Sequence, residues 1–302
     1  MINRLIANLT RLRYLGLFIS VLLTGYCVWL LAHHGLQMGL DFTGGSLLEF
    51  RIDTLRSAQD LNALLTPPLK GAIELHSAGA PGEWLIKLPE HALAWSPQEL
   101  GVMLGEQLGL PVELLRTTQV GPQVGAELLE QGMLALLAAS LAISAYLAFR
   151  FEWRQALGVL ASVAHDALVA LGLIAMLGIE FDLNVIAGLM AVIGYSLNDS
   201  IVISDRLRDI LCSRQPPSIH ECTDRAVVAT FSRTLITSGT TLFTVGALLL
   251  LGGEALHGFA FTLFAGVLTG TLSSITIATP VQELLGLSPA AYQKEMVLPE
   301  GA

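Results

Sequence analysis

Six apolar stretches, each about as long as a bilayer is thick, leave this chain few folds to choose from. Tyr14–Ala32, Gly132–Phe149, Thr234–Gly253 and Gly258–Gln282 contain no Asp, Glu, Lys or Arg. Gln155–Ile179 contains only Asp166, beside His165, and Leu183–Ser204 contains only Asp199. Each run covers the roughly 20 residues that a helix needs to cross ~30 Å of hydrocarbon. With 53% hydrophobic and 14% charged residues, the composition is that of a membrane protein rather than a soluble one with a large core.

The first run follows Arg4, Arg11 and Arg13 but is 19 residues long and ends in Leu31-Ala32-His33-His34 without a small-x-small cleavage site, so it reads as an uncleaved span. Arg4, Arg11, Arg13, Arg150, Arg154, Arg206, Arg208, Arg214 and Arg225 fall on one side of the bilayer. The opposite short loops, at Glu180-Phe181-Asp182 and Glu254-Ala255-Leu256-His257, carry no Lys or Arg. The excess of positive charge predicts that both termini are cytoplasmic.

Between the first two spans lies a polar insert, residues 33–131, with 12 acidic and 5 basic residues and hence −7 of the chain's −9 charge. That balance excludes a nucleic-acid partner. Its pattern predicts strand Ser46–Ile52, helix Ser57–Leu65, strands Ala72–His76 and Trp84–Leu88, helix Ser96–Leu108 and strand Val112–Thr117. Ser96, Pro97 and Glu99 form a capping box with proline at the first helical position. The order is that of a split βαβ, ferredoxin-like α+β domain on the exported side. It contains no metal-ligand spacing and no nucleophile–base pair. The expected organisation is residues 1–35 for the N-terminus and first span, 36–128 for the periplasmic domain, 129–285 for a five-helix bundle and 286–302 for a cytoplasmic tail.

Asp199 is the most informative single residue. A carboxylate inside a span costs several kcal/mol and is usually kept for a proton, an ion or a partner charge. Asn198 precedes it, and seven residues separate it from Arg206, so it sits roughly 10 Å below the cytoplasmic boundary. Arg233 begins the fifth span on the same side and is the candidate counter-ion; protonation of Asp199 would dissolve such a pair and let the helices shift. Arg233, Thr237, Thr241 and Thr244 follow helical spacing and predict one polar stripe facing the bundle interior. Its hydroxyls suit a proton relay and equally suit helix packing. Asp166, with His165 beside it and Ser162 one turn earlier, is a second relay candidate or a structural hydrogen-bonder to the fourth span. Thr262, Thr269, Ser273 and Thr276 give the sixth span a weaker stripe, read as packing and helped by Gly266 and Gly270 at small-xxx-small spacing.

The motif Gly39-Leu40-Asp41-Phe42-Thr43-Gly44-Gly45 directly follows the first span, where two glycines suit a tight turn or a close backbone approach. Taken with Val120-Gly121-Pro122-Gln123-Val124-Gly125, His165-Asp166, the Gly194–Arg206 segment and Arg233-Thr234-Leu235-Ile236-Thr237-Ser238-Gly239-Thr240-Thr241, it resembles the SecF family of the bacterial Sec export machinery. The resemblance runs over residues 1–285 in order. It departs from the family pattern at Ser204 and at Asp209-Ile210. It implies half of a resistance-nodulation-division transporter: six transmembrane helices with one periplasmic domain after the first, in the inner membrane. It further implies a subunit, not an enzyme, that works with SecD and the SecYEG translocon on translocating preproteins. Protons would serve as the coupling ion, with no cofactor and no metal. Among the site residues it singles out Asp41, Gly44 and Gly45 as the motif after the first span, with Asp199, Arg233, Asn198, Thr237 and Asp166 in the membrane.

Three rivals have distinct signatures. A small-molecule efflux pump of the same superfamily normally carries two such halves, whereas this chain has one. An intramembrane aspartyl protease needs paired carboxylates sharing a proton, and its Gly-x-Gly-Asp context is missing before Asp199. A passive scaffold would use the aspartates only to lock helices.

Overall fold

The computed structural model describes residues 2–52, 61, 74–77, 82–88, 96–213 and 215–293. It contains six helices long and apolar enough to cross a membrane. They are α1 (Ile2–His34), α4 (Pro122–Arg150), α5 (Trp153–Leu177), α6 (Leu183–Leu211), α7 (Ile219–Leu251) and a composite sixth. That sixth span runs through α8 (Glu254–Ser273), a π-helical turn over Ser274–Ala278 and α9 (Thr279–Leu284). The helices overrun the apolar segments because their ends are capped by polar residues outside the hydrocarbon. Glu152, Asp182 and Ser218 accept hydrogen bonds at the starts of α5, α6 and α7, and the αL Gly178 ends α5.

Small residues set the spacing at the bundle centre. A Cβ on Gly188 would come 2.9 Å from Thr262, and one on Gly266 would overlap the Val192 side chain, so α6 and α8 approach at van der Waals distance. Gly172 makes the same allowance for Cys27, seating α1 on α5. The small-xxx-small pair expected to pack the sixth span does so, with Gly266 against Val192 and Gly270 against Ser196.

The segment after the first span folds as α2 (Leu40–Thr43), β1 (Gly45–Ile52), β2 (Glu74–Ser77), β3 (Glu83–Leu88), α3 (Pro97–Leu108) and β4 (Val112–Val120). The strands form one antiparallel sheet in the order β2-β3-β1-β4, the order of the expected ferredoxin-like domain. Alternation along β1 and β3 buries Leu48, Phe50 and Ile52 with Trp84, Ile86 and Leu88 against Leu100, Leu104 and Leu108 of α3. Ser96 caps α3 and Glu99 closes the capping box, which holds the Glu99 carboxyl below its usual range through the Ser96 backbone N–H. Strand β4 runs three residues beyond its expected end, because β1 pairs with it as far as Gly45↔Val120, just before Pro122 starts α4. The expected helix Ser57–Leu65 lies outside the described residues except for Leu61, which is buried in this core; Ala72, Ile73 and the turn at Ala78–Pro81 also lie outside them.

A crevice of about 890 Å³ separates the sheet's other face (Leu47, Glu49, Arg116) from the helix ends that face it (Glu180, Asp182, His257). The Lys87–Glu180 ion pair crosses it. At the opposite end, α10 (Pro289–Gln293) folds back on the bundle: Tyr292 is buried and donates a 2.6 Å hydrogen bond to Gln155 Oε1. The segment read as a tail therefore begins with a docked turn.

Candidate functional site: two buried carboxylates and the clasp above them

Helix α6 is apolar over most of its length and half-buried by α5, α7 and α8, so its few polar residues meet other helices rather than water. Asp199 is 2% exposed. Its Oδ2 accepts from Ser238 Oγ of α7 at 3.3 Å, and its Oδ1 accepts from the amide of Asn198 at 3.3 Å. Ser238 in turn accepts a 2.8 Å hydrogen bond from Thr271 of α8. Asp199 thus ends a short chain of hydroxyls that crosses three helices.

The expected Asp199–Arg233 ion pair is not formed. Arg233 lies on the exposed face of α7, and no ion pair within 4.0 Å joins it to Asp199. The polar stripe is displaced as well. Thr237 and Thr241 are half-buried and Thr244 is exposed, while the inward line of α7 runs through Thr230, Thr234 and Ser238. The reason is helical phase. Starting the stripe at Arg233 instead of Thr234 rotates it by one residue, about 100° around a helix of 3.6 residues per turn. Thr237, Thr241 and Thr244 return their hydroxyls to carbonyls of their own helix. Ser238 stood inside the quoted motif, and counting backward from the apolar Val245 in steps of seven and four would have selected it.

Asp166 is fully buried. Its Oδ2 accepts from Ser196 Oγ of α6 at 2.6 Å and from Ser273 Oγ of α8 at 2.7 Å. Ser273 accepts from Ser162, one turn before Asp166, at 2.8 Å. Asp166 therefore bonds to the fourth span, as one of its two expected roles required, and also to the sixth. Ser273, read from sequence as packing, is one of its donors. His165 turns away from this cluster, its Nδ1 2.6 Å from Thr24 Oγ1 of α1.

The Gly39–Gly45 motif does a different job. Asp41 Oδ2 accepts the backbone N–H of Leu183 at 3.1 Å, and Asp182 accepts that of Val185 at 2.8 Å, so two carboxylates cap the start of α6. Gly39 N–H donates to the Phe181 carbonyl (2.9 Å) and Phe181 N–H to the Gln37 carbonyl (2.7 Å). Phe42 packs on Phe181 with ring centroids 5.8 Å apart. Gly44, at φ +74°, is left-handed, and a Cβ there would stand 3.0 Å from the Pro122 backbone. The motif clasps the four-stranded sheet to the N-terminal end of the helix that carries Asp199.

A third buried cluster was not anticipated. Arg13, counted among the cytoplasmic loop cations, is 1% exposed and pairs with Asp224 (2.8 Å) and Glu283 (3.0 Å). Thr10, Thr279, Tyr14 and His220 complete the network.

Comparisons with known proteins agree with this architecture. The family model "Protein export membrane protein SecD/SecF, C-terminal" matches residues 104–287, and the "SecD/SecF GG Motif" matches residues 29–54. Protein translocase subunit SecF of Escherichia coli O157:H7 is 37% identical, over 99% of this chain and 94% of that one. The Pseudomonas aeruginosa subunit of the same name is 36% identical, over 93% and 92%. The crystal structure of SecDF, a translocon-associated membrane protein from Thermus thermophilus, superposes with a TM-score of 0.80 at 32% identity. It covers 92% of this chain, which spans 38% of that longer one. The chain is a multi-pass membrane protein and belongs to the SecF family of protein-export membrane proteins.

Proposed function

We propose that this chain is the subunit that works with SecD to draw on the proton gradient for late steps of preprotein translocation through SecYEG, with Asp199 as the proton carrier. In this reading it sits in the bacterial inner membrane with both termini in the cytoplasm and residues 36–128 in the periplasm, and it catalyses no covalent change. The observation that carries the reading is the setting of Asp199. It is a buried acid held only by an amide and a hydroxyl, on a helix whose outer end is clasped to the exported sheet. Adding or removing a proton there changes what α6 and α7 can hold between them, and α6 is the element fastened to the exported domain.

The exposed faces support a sister subunit. Asn198 on α6 and Arg233 on α7 are both exposed at membrane depth, where lipid is a costly neighbour for an amide or a guanidinium. Phe231, Leu235, Ile236 and Phe243 of the same helix are exposed apolar residues. SecD is the partner proposed to cover that face, with Arg233 meeting its polar groups rather than Asp199. A long chain holding both halves, such as the Thermus SecDF, would make that contact internally.

The test is export in inverted vesicles with and without an imposed proton gradient. Asp199→Asn keeps shape and hydrogen bonding but cannot titrate, so it should remain inserted and bound to SecD while losing gradient-dependent stimulation. Full stimulation in Asp199→Asn would leave the passive-scaffold reading standing.

A further inference from the structure

Asp166 is the buried titratable group that the proposed proton path through Asp199 does not use. Its two oxygens are unequal. Oδ2 receives both hydroxyls, from Ser196 and Ser273, while Oδ1 is fully buried and has no hydrogen-bond partner. Buried polar atoms are almost always satisfied, and one that is not marks a place where something binds or moves. Among the described residues no cation pairs with Asp166. An ionised Asp166 is thus a buried charge without a counter-ion, a costly state. With two donors already on Oδ2, an added proton goes to Oδ1 without breaking an existing bond.

Among the described residues no second carboxylate shares the hydrogen bonds of this cluster. On α5 itself, His165 faces α1 and meets Thr24. From α1, Cys27 packs on Gly172, away from the cluster. From α6 come Tyr195, beside Ser196, whose hydroxyl is buried without a hydrogen-bond partner, and Asp199, whose bonds go to Asn198 and Ser238. The sixth span presents hydroxyls only, and Gly270 supplies the room: a Cβ there would stand 3.3 Å from Asp166 Oδ2. Arg13, Asp224, Glu283 and His220 are engaged with one another at the end of the bundle away from the sheet.

Both acids are wired to the same turn of α8. Ser273 donates to Asp166, and Thr271, two residues earlier, donates to Ser238, which donates to Asp199. That turn ends where the π-helical segment Ser274–Ala278 begins. Such segments are rare and recur at functional sites.

We infer that Asp166 is a second proton-binding site, loading at Oδ1, and that it communicates with Asp199 through the Gly270–Ser273 turn of α8. This rests on the reading of Asp199 above, but the two fail separately. A proton on Oδ1 removes the negative charge that the Ser196 and Ser273 hydroxyls stabilise at Oδ2. Those charge-assisted bonds weaken, and the α8 turn that also serves Asp199 is freer to change.

The experiment is infrared difference spectroscopy of the complex with SecD in nanodiscs, titrated across pH, following the C=O stretch of protonated carboxyls. The wild type should show two buried-carboxyl bands. Asp199→Asn should remove one and leave the other; Asp166→Asn should remove the second. Ser273→Ala, which keeps the acid and removes a donor, should shift the Asp166 band and its midpoint, and should also move the Asp199 midpoint. A band that survives in Asp166→Asn and vanishes entirely in Asp199→Asn overturns the second site. An unchanged Asp199 midpoint in Ser273→Ala overturns the communication. If Asp166→Asn does not assemble, Ser273→Ala alone decides: an unshifted spectrum refutes the inference. Loss of export in Asp199→Asn bears on the first reading only.

Discussion

Two buried acidic clusters in this bundle follow opposite rules. At the end of the bundle away from the sheet, Asp224 and Glu283 share a guanidinium, that of Arg13, and all three side chains are at most 1% exposed. Near the membrane centre, Asp166 and Asp199 are equally hidden but have only hydroxyls and one amide for company. A buried ion pair is held by two charges that cannot leave one another without a heavy desolvation cost. A carboxylate bonded to hydroxyls keeps its hydrogen bonds whether or not it carries a proton, because a hydroxyl both donates and accepts. The first arrangement fastens α1 to α7 and α9. The second holds its carboxylates without a partner charge, as the proposed proton carriers require.

The sharpest way to break this contrast is at Arg13. Arg13→Met should strand two buried carboxylates and lower stability by about 3–5 kcal/mol, the cost of removing one partner from a buried pair. Thermal or denaturant unfolding in nanodiscs measures it, and a loss below about 1 kcal/mol would mean that the network is wetter than its burial indicates. The hydroxyl cluster should answer differently. Asp199→Asn should change stability by no more than about 1 kcal/mol, the scale of one neutral hydrogen bond, because the amide oxygen still accepts from Ser238. A loss as large as that of Arg13→Met would show that Asp199 is itself an ionic lock, and the two clusters would then be one kind.

The smallest effect belongs to Asp182, a carboxylate outside the membrane that sharpens the comparison. Burial pushes its pKa above the ordinary aspartate range, with Asp41 and Glu180 adding to the rise and the Val185 N–H and Asn184 opposing it. The folded protein therefore holds this proton more tightly than the unfolded chain. Its contribution is fully present below the unfolded pKa and is lost as pH rises through the folded one. Asp182→Asn keeps the cap on α6 but removes the titration, so stability should fall less than in the wild type over that interval. Identical pH slopes in the two proteins would rule this out.

Much of this architecture could be read from sequence because it depends on local patterns. Span lengths, the alternation of β1 and β3, and the Ser96–Glu99 capping box all involve residues within a few positions of one another. The individual site residues were legible as residue types and not as partners. Asp199 and Asp166 announce themselves by their apolar surroundings, yet which helix face meets them depends on rotation about an axis. One residue of error moved the expected stripe on α7 from Ser238 to Thr237. Arg13 was misplaced for a related reason. An arginine at the end of a span looks like a loop cation until Asp224 and Glu283, more than 200 residues away, are brought beside it.

The clasp at Gly39–Gly45 has a mechanical meaning. From Asp182 to Asp199 runs about 25 Å of helix at 1.5 Å per residue. At its Asp182 end the rod is joined by peptide hydrogen bonds at Gln37, Gly39 and Phe181 and by the Asp41 carboxylate, and β1 begins four residues after Asp41. The Lys87–Glu180 pair adds a second strut, onto β3. A small axial or rotational displacement of the rod is therefore delivered to two adjacent strands at once. Such a linkage couples the rod to the two central strands, with β2 and β4 paired one on each side of them.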